Sequence, residues 1–172
     1  GAIDRSAQHQ VKLRGGYEIS DWLDIEAFAA QWDSDSDAEN RTFMRDANGA
    51  PVWSGRVIAG GETFNVPDAA LAPSARDERH VQWGATLRTT RASGWNGSLV
   101  YSEYAIREDA MHEASRPEPF ARQGSIGSIT DREGTGWQTF EAQGVYAAGE
   151  HSLALGFHQN RDWFQENRAI YE

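Results

Sequence analysis

Apolar and polar residues alternate with a period of two in five separate segments of this chain, and a sixth is apolar throughout, which points to β-strands with one greasy and one wet face. In QVKLRGGYEI, Val11, Leu13, Tyr17 and Ile19 are apolar while Lys12, Arg14 and Glu18 lie between them. LDIEAFAAQW sets Leu23, Ile25, Ala27 and Ala29 against Asp24, Glu26, Phe28 and Trp32. RHVQWGATLRTTR sets Val81, Trp83, Ala85 and Leu87 against His80, Gln82, Thr86 and Arg88. SLVYSEYAI is apolar on both faces, with Leu99 and Tyr101 continuing the greasy side. GWQTFEAQGVYA places Phe140, Ala142, Val145 and Tyr146 near Glu141 and Gln143, with a parity slip at Gly144 that reads as a bulge. SLALGFHQNR sets Leu153, Leu155 and Phe157 against His158 and Asn160.

These segments predict an all-β fold, an antiparallel meander of three long hairpins. The connections within hairpins, near Ser20–Trp22, Arg91–Asn96 and Ala147–His151, are short. Those between hairpins, about 33–76 and 107–136, are several times longer and rich in Gly, Pro, Asp and Ser. Loops beyond about 15 residues are uncommon in compact domains, and here both would sit at the same edge of the sheet. Membrane β-barrels have that asymmetry, with short periplasmic turns and long external loops, so the meander is expected to be part of a transmembrane barrel wall. The aromatics fit two interfacial girdles, Tyr17 and Tyr146 toward the short turns and Trp83 and Tyr101 toward the long loops.

Charge and composition narrow the partners. A formal net charge of -10 over 172 residues makes nucleic acid an unlikely ligand, and the lack of Cys excludes disulfides and thiolate metal sites. No stretch reaches the roughly 18 to 20 continuous apolar residues of a membrane-spanning helix. The five histidines, His9, His80, His112, His151 and His158, have no metal-ligand spacing, and no G-x-S-x-G occurs, so neither a cofactor nor an enzyme is expected. Asp24 and Glu26 are read as lining a wet lumen rather than as a catalytic pair. Asp33, Asp35 and Asp37 begin like a calcium loop, but Ala38 and Met44 occupy the positions that need Gly and a bidentate Glu. The run is therefore expected to be the hydrated exit of the second strand into an external loop.

YEISDWLDIEAF with its acidic DSDSD exit, TFMRDANGAPVWSG, ITDREGTGWQTFEAQGVY and HSLALGFHQNR together resemble the barrel of TonB-dependent outer-membrane receptors. DREGTGW, Asp131 to Trp137, is the most specific piece of that resemblance. It implies location in the outer membrane of a Gram-negative bacterium, contact with membrane lipid and lipopolysaccharide, and energisation by TonB through an N-terminal plug. The implied activity is active uptake of a scarce nutrient, first of all a ferric siderophore. No plug is recognisable, and six strands fall far short of the roughly 22 of plugged transporters, so residues 1–172 are expected to form a partial barrel. Residues 162–172 would open a further external loop.

Within the first long connection, Asn48-Gly49 is a hairpin signal, so 43–66 is expected to form an ordered external ribbon that contributes to ligand capture. Its candidate ligand-binding residues are Arg45, Trp53 and Arg56, guanidinium groups for carboxylate-bearing ligands and an indole for a flat apolar contact. The competing reading is a soluble, secreted β-sandwich that binds carbohydrate through Trp53, Trp95 and Trp163. The two differ in whether the greasy face meets lipid or a second sheet.

Overall fold

The computed structural model describes residues 2–91, 94–117, 121 and 126–171. Its strands are β1 (Ala2–Ser20), β2 (Leu23–Asn40), β3 (Gly55–Ala59), β4 (Glu62–Val66), β5 (Ser74–Thr89), β6 (Gly94–Ala114), β7 (Gly127–Asp131), β8 (Gly136–Ala148), β9 (His151–Trp163) and β10 (Asn167–Tyr171). All pairings are antiparallel. β1, β2, β5 and β6 follow one another across a single sheet, and β6 then pairs along its length with both β7 and β8. β8 and β7 are flanked in turn by β9 and β10, which completes six rungs. The sheet is open, with β1 at one edge and β9 and β10 at the other. The fold is thus the expected antiparallel meander of long hairpins.

Cross-strand partners share a face, and the registers carry the sequence alternation across the whole sheet. Tyr17, Ile25, Leu87, Leu99, Ala142 and Phe157 form one continuous row, and Gly15, Ala27, Ala85, Tyr101 and Phe140 form the next. On this face Val11, Leu13, Tyr17, Trp83, Leu99, Leu155 and Phe157 are all exposed. Ala105 is the one buried hydrophobic residue among those described. The opposite face carries Lys12, Arg14, Glu26, Gln82 and Thr86, and there Arg14 pairs with Glu26 at 2.8 Å. Burial along β2 is greater on its polar side, at Phe28, Ala30, Trp32 and Ser34, than at Ala27, Ala29 and Gln31. This is the inverse of a soluble single-layer sheet, in which the apolar side is the covered one.

Several boundaries differ from those read in the sequence. Asp33 to Asn40 is strand, paired on one side with Ala2 to His9 and on the other with Ser74 to Arg79, so the first long connection begins after Asn40. β6 likewise runs through Arg107 to Ala114, and the second long connection is confined between Ala114 and Gly127. Its residues 118–120 and 122–125, like residues 92–93 of a short turn, lie outside the described residues. Arg161 to Trp163 and Asn167 to Tyr171 continue the last rung instead of opening a loop. These stretches lack apolar alternation because both faces are polar, and their ladder hydrogen bonds hold them extended regardless.

The register of β8 runs unbroken through Gly144, which places Val145 on the polar face. The irregularity lies elsewhere, between Arg79 and His80, where β6 carries Arg107 as an extra residue. Asn48-Gly49 also closes differently from the expectation. Gly49 alone takes positive φ, with its N–H donating to Asp46 O at 3.0 Å, which is a type I turn followed by a Gly bulge. The external ribbon proper is β3 and β4, turned by Gly60-Gly61 with both residues at positive φ.

Candidate functional site

DREGTGW owes its form to a local kink. Between β7 and β8 the pairing with β6 keeps its register, yet Arg132 to Thr135 turn out of the ladder. Gly134, at φ 88°, donates to Ile106 O at 3.0 Å, and Ile106 N–H donates to Thr135 O at 2.8 Å. Thr135 ties the kink to the next rung, since its hydroxyl donates to Gln165 O at 2.9 Å and accepts from Gln165 N–H at 3.0 Å. The result is that Arg132 and Trp137 join the polar face.

Arg132 there meets a belt of charge. Its guanidinium lies 2.8 Å from Glu166 and 4.0 Å from Asp109. Asp109, only 3% exposed, accepts a bidentate pair from Arg76 at 2.8 and 2.9 Å, and Arg76 also contacts Glu78 at 2.9 Å. Fork-to-fork geometry makes the Arg76–Asp109 pair the stiffest polar link on this face. It spans β5 and β6 just where the bulge at Arg107 restores register.

Directly below runs a diagonal of rings, Trp32 on β2, His80 on β5, Tyr104 on β6 and Trp137 on β8. Centroid separations are 4.8 Å for Trp32–His80, 5.6 Å for His80–Tyr104 and 6.0 Å for Tyr104–Trp137, the last pair nearly parallel. Tyr104 Oη is 2.7 Å from His80 Nδ1. His80 Nε2 is buried and has no hydrogen-bond partner among the described residues, and Glu78 Oε1 is 3.9 Å away. All four rings are half-buried.

The loop residues named from sequence form no comparable group. Arg45 Nη1 donates to the carbonyls of Thr42 and Met44 at 3.0 and 2.9 Å, which commits it to its own loop. Trp53 is half-buried and Arg56 lies exposed on β3 opposite Asn65, and no described contact joins the three. Asp24 and Glu26 do lie on the polar face, as their parity requires. Asp33, Asp35 and Asp37 project from the other face, spaced about 7 Å apart by the extended backbone, too far to converge on one ion. Asp33 is engaged with Arg79 at 2.8 Å, whose hydrogen bond, with that of Gln31, holds the carboxyl below the usual range. Among the described residues no cluster of three or more His, Asp or Glu could hold a metal ion.

Sequence reading missed the belt because Arg76, Asp109 and Arg132 fell in segments read as loops and Glu78 just before the third expected strand. The one available signal was the DREGTGW motif itself. No family model, curated protein or solved structure matches this chain.

Proposed function

We propose that this chain is part of the wall of a transmembrane β-barrel in the outer membrane of a Gram-negative bacterium, a receptor that takes up a scarce nutrient and is energised through TonB. The observation that supports a membrane wall most directly is the oblique course of the apolar band. On β1 it reaches up to Val11, whereas on β9 it stops at Phe157, which lies in the row of Tyr17. The upper edge therefore falls six residues over five inter-strand steps, about 20 Å against about 24 Å, an angle of roughly 40°. Strands of outer-membrane barrels tilt by roughly 35 to 45°, which is what makes a band level with the bilayer cross the strands at a slant. The lower edge, from Ile19 to Leu153, descends less.

Ring pairs mark both edges of the band, Trp83–Tyr101 at 5.0 Å above and Trp95–Tyr146 at 5.3 Å below. A carbohydrate-binding sandwich is less well supported. Trp95 lies within the apolar band against Gly144, Trp163 covers Gly136, and no second sheet faces the greasy side among the described residues. The receptor activity itself rests on the sequence resemblance. A ferric siderophore remains the first cargo that resemblance implies, although Arg45 is not free to bind one.

Because the chain has no Cys, single cysteines report topology without background. In intact cells making the full-length protein, Asp46→Cys should react with a membrane-impermeant maleimide, Glu150→Cys should not, and Leu155→Cys should react only with a lipid-phase reagent. Equal aqueous labelling of all three would reject the membrane wall. Loss of iron-limited growth on a ferric siderophore when the gene is deleted would support that cargo, and unchanged growth would remove it.

A further inference from the structure

On the reading that the polar face lines a barrel lumen, we infer that the ring diagonal and the charge belt above it form a contact surface for a neutral, ring-shaped polyhydroxyl ligand, an oligosaccharide. Four features of the wall point there. Trp32 and Trp137 stand at the two ends of the diagonal, three inter-strand steps or about 14 Å apart, the length of a short oligomer rather than one compact ring. Their indole N–H groups have no partner among the described residues. Aromatic faces left half in water on the wet side of a sheet contribute nothing to a core, whereas the apolar C–H face of a sugar packs on such rings.

Charge separates this ligand from an anionic chelate. Arg76 is held by Asp109 and Glu78, and Arg132 by Glu166 and Asp109. Carboxylates outnumber guanidinium groups in the belt, and adding Arg168, one row higher beside Ser128, only brings the tally to neutral. An anionic ferric complex would have to displace an existing pair to gain Arg76 or Arg132, which leaves Arg168 as the one cation of this surface without a carboxylate partner among the described residues. Hydroxyl groups need no such displacement. They can donate to the second oxygen of Glu78 and to Glu166, and accept from the free indole N–H groups of Trp32 and Trp137.

The belt also lies at the right height. His80 is the first wet-face residue above Val81 on β5, and Trp32 lies opposite it on β2, so the surface sits at the external mouth, where capture precedes transport.

The test is binding to the detergent-purified full-length receptor, with labelled maltotriose, xylotriose and chitotriose as neutral probes and ferric citrate as the anionic one. At least one trisaccharide should bind saturably, and Trp32→Ala and Trp137→Ala should each weaken it about threefold to tenfold, the worth of one aromatic contact. Trp137→Phe, which keeps a ring and guards against loss of folding, should stay within about threefold of the parent, and Trp95→Ala on the greasy face should have no effect. Failure of all three trisaccharides to bind, indifference of their binding to Trp32 and Trp137, or ferric citrate binding that depends on these residues would each overturn the inference. The Leu155→Cys labelling pattern needs no ligand, so failure of the membrane reading would be seen separately.

Discussion

Leu155→Arg separates a lipid-facing from a water-facing apolar surface. Leu155 lies mid-band on β9 and is 60% exposed, opposite Gly144, against which the Trp95 ring lies. Full burial of a Leu side chain is worth about 1.5 to 3 kcal/mol, so lipid covering three-fifths of it supplies roughly 1 to 2 kcal/mol, which the substitution removes. Placing a guanidinium in the bilayer instead brings the total to about 2 to 4 kcal/mol near mid-plane, between roughly 30-fold and 900-fold in the folding equilibrium. On a water-exposed surface the same change lies within about 0.5 kcal/mol. Urea titration of the full-length protein refolded in lipid vesicles, followed by tryptophan fluorescence, reads the difference. Lys12→Leu on the other face is the control. If Leu155→Arg leaves the midpoint unchanged while folding into vesicles is complete, the lipid-facing assignment is wrong.

Arg76→Met should destabilise the wall by about 3 kcal/mol, because it leaves the buried Asp109 without its bidentate partner, and a second change, Asp109→Leu, should recover most of that; equal losses in the single and double variants would contradict the account. Gly84→Val should destabilise the fold by about 1 to 3 kcal/mol, read as a lower urea midpoint, since a Cβ there would lie 2.7 Å from the Phe28 ring and 2.8 Å from Tyr101 O, and an unaltered midpoint would contradict this close packing. The Asp33–Arg79 pair lowers the carboxyl pKa in the folded state, so its stabilisation is complete above the unfolded value and is lost as pH falls through the depressed one; NMR titration of Asp33 should lie below the usual carboxylate range, and Arg79→Gln should move it back up, whereas an unmoved titration would contradict the pairing. Deleting Met44 to Gly55 should leave surface abundance normal and weaken ligand capture by cells, whereas unchanged capture would make the segment purely structural.

The apolar band was legible because each residue in it obeys one parity, and Leu99 with Tyr101 could be placed even in an ambiguous segment. Strand ends were not legible. Asp33 to Asn40 reads as a loop because its composition is acidic and small, yet it pairs on both sides, and composition cannot report a partner. The belt was illegible for a different reason. Whether Arg76, Asp109 and Arg132 meet depends on the registers of three strands, on the extra residue Arg107 and on the kink after Asp131, none of which has a local signature strong enough to fix it. The turn at Asn48-Gly49 shows the same limit on a small scale: the dipeptide marked a turn, while Asp46 chose its type by accepting the N–H groups of Asn48 and Ala50, each at 2.8 Å.

Strand length explains why the polar groups are where they are. A tilted membrane crossing needs about 9 to 11 residues, and β1, β2 and β6 have 19, 18 and 21. Their upper halves therefore stand beyond the band with water on both faces, where the ladder alone must resist fraying and hydrophobic cover is absent. Opposite charges placed across strands supply that resistance. On the outer face Asp33 lies 2.8 Å from Arg79, which reaches Glu108 at 3.5 Å, while on the inner face Arg76, Asp109, Arg132 and Glu166 continue the alternation across three further rungs. Asp35 opposite Asp77 breaks the pattern, two carboxylates facing each other with no cation between them. The charges on the Asp33 face are exposed and screened, but Asp109 is not, so this part of the sheet is held most firmly from the face that carries Asp109. The firmly tied part of the sheet is thus also the part that carries Tyr104 and Trp137 on its polar face.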